Sequence, residues 1–331
     1  MADEDPAASA PVALATPVPE PIDLTALAQQ LLGKVTLTPA DVATETGIPI
    51  ERLRQMWRAL GFPPVPEDER FFTAADVEVL RLLASNEARG LLANDDILQV
   101  ARVMGQSLAR VAETEVALMT DRIGRQQLPR TLQLLESVEP FLAYVWRRHM
   151  VSALGRAFAF DAAAGEGARQ LVVGFADLVG FTPLSEEVDA RSLTRVVDRF
   201  EALVYENVPE HRGRVIKMIG DEVMFAVEDP IDAAEIALGL VDAHEADDSI
   251  PAIRVGLAFG DVLSWEGDLF GPTVNLASRL VQFARPSTVV IGPNMVERLA
   301  AAPGITVRQF RRRLRLKGMP RVTASLLSRA K

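Results

Sequence analysis

Residues 214–227 read RVIKMIGDEVMFAV, two short apolar runs, Arg214–Met218 and Val223–Val227, joined by the tight turn Ile219-Gly220-Asp221-Glu222. This hairpin anchors the reading of the second half of the chain. Upstream, Leu171-Val172-Val173-Gly174-Phe175 is a short buried strand. Residues 185–207 then form an amphipathic helix with Leu193, Val196, Val197, Phe200, Leu203 and Val204 inward. Downstream, a helix from about Pro230 to His244 leads into a strand at Ile253–Phe259. The order is βαββαβ, the split unit of ferredoxin-like domains.

On this frame the polar residues acquire meaning. Asp177 stands just after the first strand, in FADLVGFT, and Asp221 lies in the hairpin turn. If the first strand lies beside the hairpin, the two carboxylates converge. Hard oxygen ligands of this kind suit Mg²⁺ or Mn²⁺, with a triphosphate completing the coordination shell. Two such ions could activate an attacking oxygen and neutralise the phosphates. The small-residue segment Leu178–Thr182 opens the next helix, where main-chain N–H groups can receive phosphate. Taken alone, either Asp reads more simply as a turn or cap residue; it is their conjunction that points to a metal site. Asn275 and Arg279 are four apart in VNLASRL and share a helix face, so they could steady the ribose and a pentavalent phosphorus; the plain alternative is a solvated helix surface. Lys217 and Asp268 supply the donor and acceptor that adenine N1 and its N6 amino group require. Guanine presents the opposite pattern, and a mismatch of this kind can cost about 10⁴-fold, so ATP is the expected substrate.

RVIKMIGDEVMF, GDLFGPTVNLASRL and FADLVGFT together resemble the class III nucleotidyl cyclases over about residues 169–325. The resemblance implies conversion of ATP to 3′,5′-cyclic AMP and pyrophosphate in a head-to-tail homodimer with sites at the interface. It assigns two Mg²⁺ or Mn²⁺ ions per site to Asp177 and Asp221, adenine selection to Lys217 and Asp268, and transition-state contact to Asn275 and Arg279. Lys317, in LRLKGMP, matches the family's triphosphate-binding lysine, and Arg254, in RVGLAFG, resembles a phosphate-contacting arginine. Pro272 departs from the Asp or Asn often found there in relatives. Leu314 and Leu316 alternate with Arg313, Arg315 and Lys317 as on a strand with one wet face.

At 331 residues the chain has room for about two domains. A net charge of −10 argues against a protein that coats nucleic acid or an anionic membrane. The absence of cysteine excludes disulfides, thiolate metal sites and cysteine nucleophiles. His149, His211 and His244 are far apart in sequence, which disfavours a histidine metal site. No run approaches the roughly 18 apolar residues of a membrane span, and MADEDPAASAP lacks the regions of a signal peptide, so a soluble, cytoplasmic protein is expected.

Residues 1–22, rich in Ala and Pro, are expected as a flexible tail, 23–150 as an all-α regulatory domain, 151–168 as a linker ending in DAAAGEGA, and 169–331 as the catalytic domain. The fold class is therefore α+β. Within the helical part, a helix starts at Asn94-Asp95 with Ile97, Val100, Met104, Leu108 and Val111 on one face. TPADVATETGIPIERLRQMWRALGF, followed by RFFTAADVEVLRLL, resembles a winged helix-turn-helix. An alternative reading follows, a catalytically silent ATP-binding signalling protein whose first half recruits a partner or DNA. Residues 37–85 hold five Arg against eight Asp plus Glu, however, which disfavours nucleic acid. The layout is similar to the pH-responsive mycobacterial adenylyl cyclases, which implies regulation by the helical domain. His149, in VWRRHMVSALGRAF, is then a candidate acid sensor, or simply a surface histidine.

Overall fold

A computed structural model describes residues 24–90, 93–123, 128–161, 169–247 and 249–330. They fall into two units, Met1–Phe160 and Asp161–Lys331. The expected tail at 1–22 lies outside the described residues.

The first unit is helical: α1 (Leu24–Leu32), α2 (Pro39–Thr46), α3 (Ile50–Ala59), α4 (Ala74–Ala88), α5 (Asn94–Ile123) and α6 (Leu128–Asp161). Thr38 and Asp41 form a capping box on α2, and Thr73 with Asp76 repeats it on α4, so each start is fixed by its own first turn. Val42, Ile48, Leu53, Phe72 and Val77 make the core, with Trp57 packed against it. The expected stripe on α5 is only partly the packing seam. Ile97 is buried, but Val100, Met104 and Leu108 are about half exposed. At Gly105 an added Cβ would lie 2.3 Å from the Leu60 carbonyl oxygen, so a glycine lets α5 close on the end of α3. Residues 151–161, expected in the linker, instead continue α6, because SALGRAFAF is rich in strong helix formers and holds no proline. The remainder of that linker, 162–168, lies outside the described residues.

The second unit is built on one sheet: β1 (Arg169–Leu178), β2 (Arg214–Ile219), β3 (Glu222–Val227), β4 (Ile253–Trp265), β5 (Asp268–Phe270), β6 (Val289–Ile291), β7 (Ile305–Gln309) and β8 (Ser325–Arg329). The order is β2-β3-β1-β4-β6-β8-β7, with β5 folded back on β4. Strand β1 is central, antiparallel to both β3 and β4. The helices are α7 (Phe181–Glu187), α8 (Ala190–Glu210), α9 (Pro230–Ala246), α10 (Pro272–Phe283) and α11 (Pro293–Leu299).

Alternation along the strands divides the interior in two. Val172, Ala176 and Leu178 of β1 pack with Val223, Phe225 and Val227 of β3 beneath α8 and α9. Leu171, Val173 and Phe175 point the other way, with Met224, Ala226 and Ala258, and meet Ala277 and Val281 of α10. Gly256 makes that second contact close, since an added Cβ would lie 2.2 Å from the Val281 nitrogen. Two expectations are corrected here. The helix expected over 185–207 is two helices, because Val188 is extended and Asp189 starts α8 afresh, accepting from the Ser192 N–H at 3.0 Å. The run around Leu314 is a loop with a single bridge to Val322 and not a strand, although Leu314 and Leu316 are buried and Arg313, Arg315 and Lys317 exposed, as the alternation implied.

Candidate active site

Asp177 continues the row Leu171, Val173, Phe175, so its carboxylate emerges on the face that carries α10. The register sets it opposite Glu222 on one side and Arg254 on the other. Arg254 Nε donates to Asp177 Oδ2 at 2.6 Å, and Nη2 lies 2.5 Å from the same oxygen as an ion-pair contact. The hairpin turn is tied to the end of β1, where the Leu178 N–H donates to the Asp221 carbonyl oxygen at 3.1 Å. Asp177 and Asp221 are thereby brought to one place.

Lys217 and Asp268 also meet, Nζ to Oδ2 at 2.5 Å, across β2 and β5. The Asp268 Oδ1 accepts from the Leu269 N–H at 2.8 Å, which fixes the carboxylate. Asn275 and Arg279 occupy successive turns of α10. Asn275 is exposed, and Arg279 donates to the Gln282 side chain at 3.1 Å. Among the described residues neither is hydrogen-bonded to Asp177 or Asp221. Lys317 is exposed in its loop, and the flanking Leu314 and Leu316 pack with Leu276 and Leu280 of α10, beside Asn275 and Arg279. The chain thus holds three groups: Asp177, Asp221 and Arg254; Lys217 and Asp268; and Asn275, Arg279 and Lys317.

The adenylate cyclase regulatory domain family matches residues 20–139, and the adenylate and guanylate cyclase catalytic domain family matches residues 165–328. An adenylate cyclase of Streptomyces coelicolor is 38% identical over 79% of this chain and 71% of its own length. The chain belongs to the class III adenylate cyclases. An adenylate cyclase of Glutamicibacter nicotianae is 35% identical over 76% of the cyclase described here and 68% of its own length. A Mycobacterium tuberculosis protein named as a pH-sensitive adenylate cyclase is 32% identical over 80% and 70%.

In this cyclase the carboxylates around Asp177 raise one another's proton affinity. Burial pushes the Asp177 carboxyl above its usual range; the hydrogen bond and charge of Arg254 oppose this, and the charge of Asp221 adds to it. Glu222 is pushed up to about 7 by burial, then by the charges of Asp177 and Asp221. Arg254 is ion-paired with Asp177 and its charge also acts on Glu222, so the cluster with Asp221 is short of positive charge, a deficit that a divalent cation would offset. No group of three or more His, Cys, Asp or Glu side chains is ready to hold a metal among the described residues. The donor set therefore fits Mg²⁺ or Mn²⁺ only if phosphate oxygens, main-chain carbonyls or water supply the remaining ligands.

Sequence reasoning missed Glu222 as a site residue. Its signal was the register, since the residue after Asp221 must face Asp177 once β1 pairs with β3. The main-chain donors expected at Leu178–Thr182 are partly engaged already: the Leu178 N–H binds the Asp221 carbonyl and the Val179 N–H binds the Ala252 carbonyl at 2.8 Å. Arg254, expected to face phosphate, is turned to Asp177.

Proposed function

We propose that the protein converts ATP to 3′,5′-cyclic AMP and pyrophosphate. The ribose 3′-oxygen attacks the α-phosphorus, the bond from that phosphorus to the oxygen bridging the α- and β-phosphates breaks, and the hydroxyl proton passes to solvent. Asp177 and Asp221 would hold Mg²⁺ or Mn²⁺, two ions per site. When bound, such ions supply charge for the triphosphate and lower the proton affinity of the 3′-hydroxyl. Lys217 and Asp268 read the adenine edge, Arg254 and Lys317 bind phosphate, Asn275 orients the ribose, and Arg279 meets the charge that grows on phosphorus. The observation that carries this reading is the meeting of Asp177 with Asp221 while Lys217 meets Asp268, two constellations that fold from distant sequence. The test is product chromatography of the full chain with ATP or GTP and Mn²⁺ or Mg²⁺. Cyclic AMP from ATP is expected; no cyclic product, or a preference for GTP, overturns the reading.

The site is completed, in this proposal, by a second copy of the chain, with Asp177 and Asp221 from one protomer and Lys217, Asp268, Asn275 and Arg279 from the other. It is supported by Arg279 bonding to Gln282, and by neither Asn275 nor Arg279 being hydrogen-bonded to the two acids among the described residues. Mixed Asp221→Ala and Asn275→Ala proteins should regain roughly a quarter of wild-type activity, since half of randomly paired dimers carry one intact site of two. Failure to regain activity despite subunit exchange would place the site within one chain. We assign regulation to the helical unit, with His149 on α6 as its candidate acid sensor. The pH–activity curves of the full chain, residues 161–331 and His149→Ala test this, and coincident curves for the first two reject it. The DNA-binding alternative loses support at α3, where Arg52 pairs with Glu87, and Arg54 with Glu51 and Glu67.

A further inference from the structure

We propose that Arg254 is a placeholder cation: it occupies the Asp177 carboxylate in the metal-free protein, competes with the divalent ion for it, and is released to the triphosphate as the metal enters. This rests on the metal role proposed above for Asp177.

Arg254 Nε donates to Oδ2 at 2.6 Å and Nη2 lies 2.5 Å from the same oxygen; Asp177 is 8% exposed and the Arg254 side chain 30%, so water screens the pair only in part. The two residues face each other across adjacent strands, which fixes their main chains. Release of Arg254 then needs only rotation of its side chain, with β4 unmoved. A cation bound at Asp177 alongside the arginine would place two positive groups on one carboxylate. Metal alone therefore competes with Arg254 for the carboxylate and brings the guanidinium no new acceptor. A triphosphate changes that, because its oxygens accept the fork of donors as well as a carboxylate does. The same contact thus disfavours metal without nucleotide and favours the two together, a coupling carried by one side chain. With Arg254 absent, Asp177 would lose its ion-pair partner and Glu222 the nearby positive charge, and the attraction of the cluster for a divalent ion would rise.

The experiment titrates Mn²⁺ alone, without nucleotide, into full-length wild type, Arg254→Gln, Arg254→Lys and Asp177→Asn, with free Mn²⁺ read by electron paramagnetic resonance. Arg254→Gln should bind Mn²⁺ more tightly, by a factor within the roughly 5–150-fold typical of coupled sites, and Arg254→Lys should fall between it and wild type. Mn²⁺ should also raise the melting temperature of Arg254→Gln more than that of wild type. A merely structural role for Arg254 would weaken binding in both variants. Equal or weaker binding in variants that melt cooperatively overturns the proposal while Asp177→Asn still abolishes the site. If Asp177→Asn leaves Mn²⁺ binding unchanged, the metal assignment fails, and this inference with it.

Discussion

The two faces of the catalytic sheet are made from the same strands and do different things. On β1, Val172, Ala176 and Leu178 face α8 and α9, while Phe175 and Asp177 face the α10 side; on β3, Val223, Phe225 and Val227 contrast with Glu222, Met224 and Ala226. The first face is apolar from Val172 to Leu178 on β1 and from Val223 to Val227 on β3. The second is apolar where α10 covers it and becomes ionic toward Asp177, Glu222 and Arg254. A period of two lets a strand give alternate residues to stability and to chemistry, so the two can be separated by shifting a substitution one position.

The largest expected effect lies on the ionic face. Asp177→Asn or Asp221→Asn should lower kcat by at least about 10³-fold, the size of losing a principal transition-state charge contact, with little change in melting temperature. Near-wild-type turnover in either would break the contrast. The mirror experiment is Phe200→Ala, which empties a fully buried position of the apolar face. It should cost about 3–5 kcal/mol, seen as a drop in melting temperature, with kcat per folded molecule kept. An equal loss of kcat at a temperature where the variant remains folded would show that the faces are not separable.

How far this contrast could be read in advance depended on the range of the contacts. Strands β1 to β4 and the helices between them were legible because apolar spacing is local, and the residues that meet as Asp177 with Asp221 were legible through motif and topology. The break before α8 was not, because Asp189 acts through one hydrogen bond to Ser192 that leaves the apolar spacing of the longer helix intact. The C-terminal third resisted for a different reason. Strands β5 and β6 have only three residues each, too few to show a period, and β6 is held by β4 and β8 from distant sequence. Glu222 and the Arg254 contact were hidden because they depend on which residue stands opposite which, a register that no single segment encodes.

A smaller effect is expected at the adenine-reading pair. Replacing Lys217 with Glu and Asp268 with Cys inverts the donor and acceptor pattern, so kcat/KM for ATP should fall roughly 10²-fold and the ratio of GTP to ATP use should rise. Because each residue is the other's partner at 2.5 Å, a single change strands one charge, and Lys217→Met should impair ATP use more than its lost contact alone implies. Measured kcat/KM for both nucleotides decides it. Unchanged ATP turnover in the double variant would move base recognition away from this pair and leave the ionic face with the metal chemistry alone.

The smallest effect is a pH dependence of stability confined to the ionic face. Glu222 has a folded pKa of about 7 against an ordinary value of 4.5, raised by burial first and then by Asp177 and Asp221. Between these values the folded protein holds a proton that the unfolded chain has released. Each step upward in pH then favours the unfolded chain, so the contribution of Glu222 to stability falls from about pH 4.5 and levels off above about 7. Glu222→Gln keeps size and hydrogen-bonding capacity but removes the titration. In metal-free protein, with chelator present, the wild-type melting temperature should decline more steeply than that of Glu222→Gln from about pH 5 to 7.5, with the variant higher at the upper end by a degree or a few. The control is the next residue on the same strand: Val223→Ala should lower the melting temperature at every pH without altering the slope, because its side chain lies on the apolar face and carries no proton. Parallel curves for wild type and Glu222→Gln would mean that the acids are already relieved of their repulsion in the absence of metal.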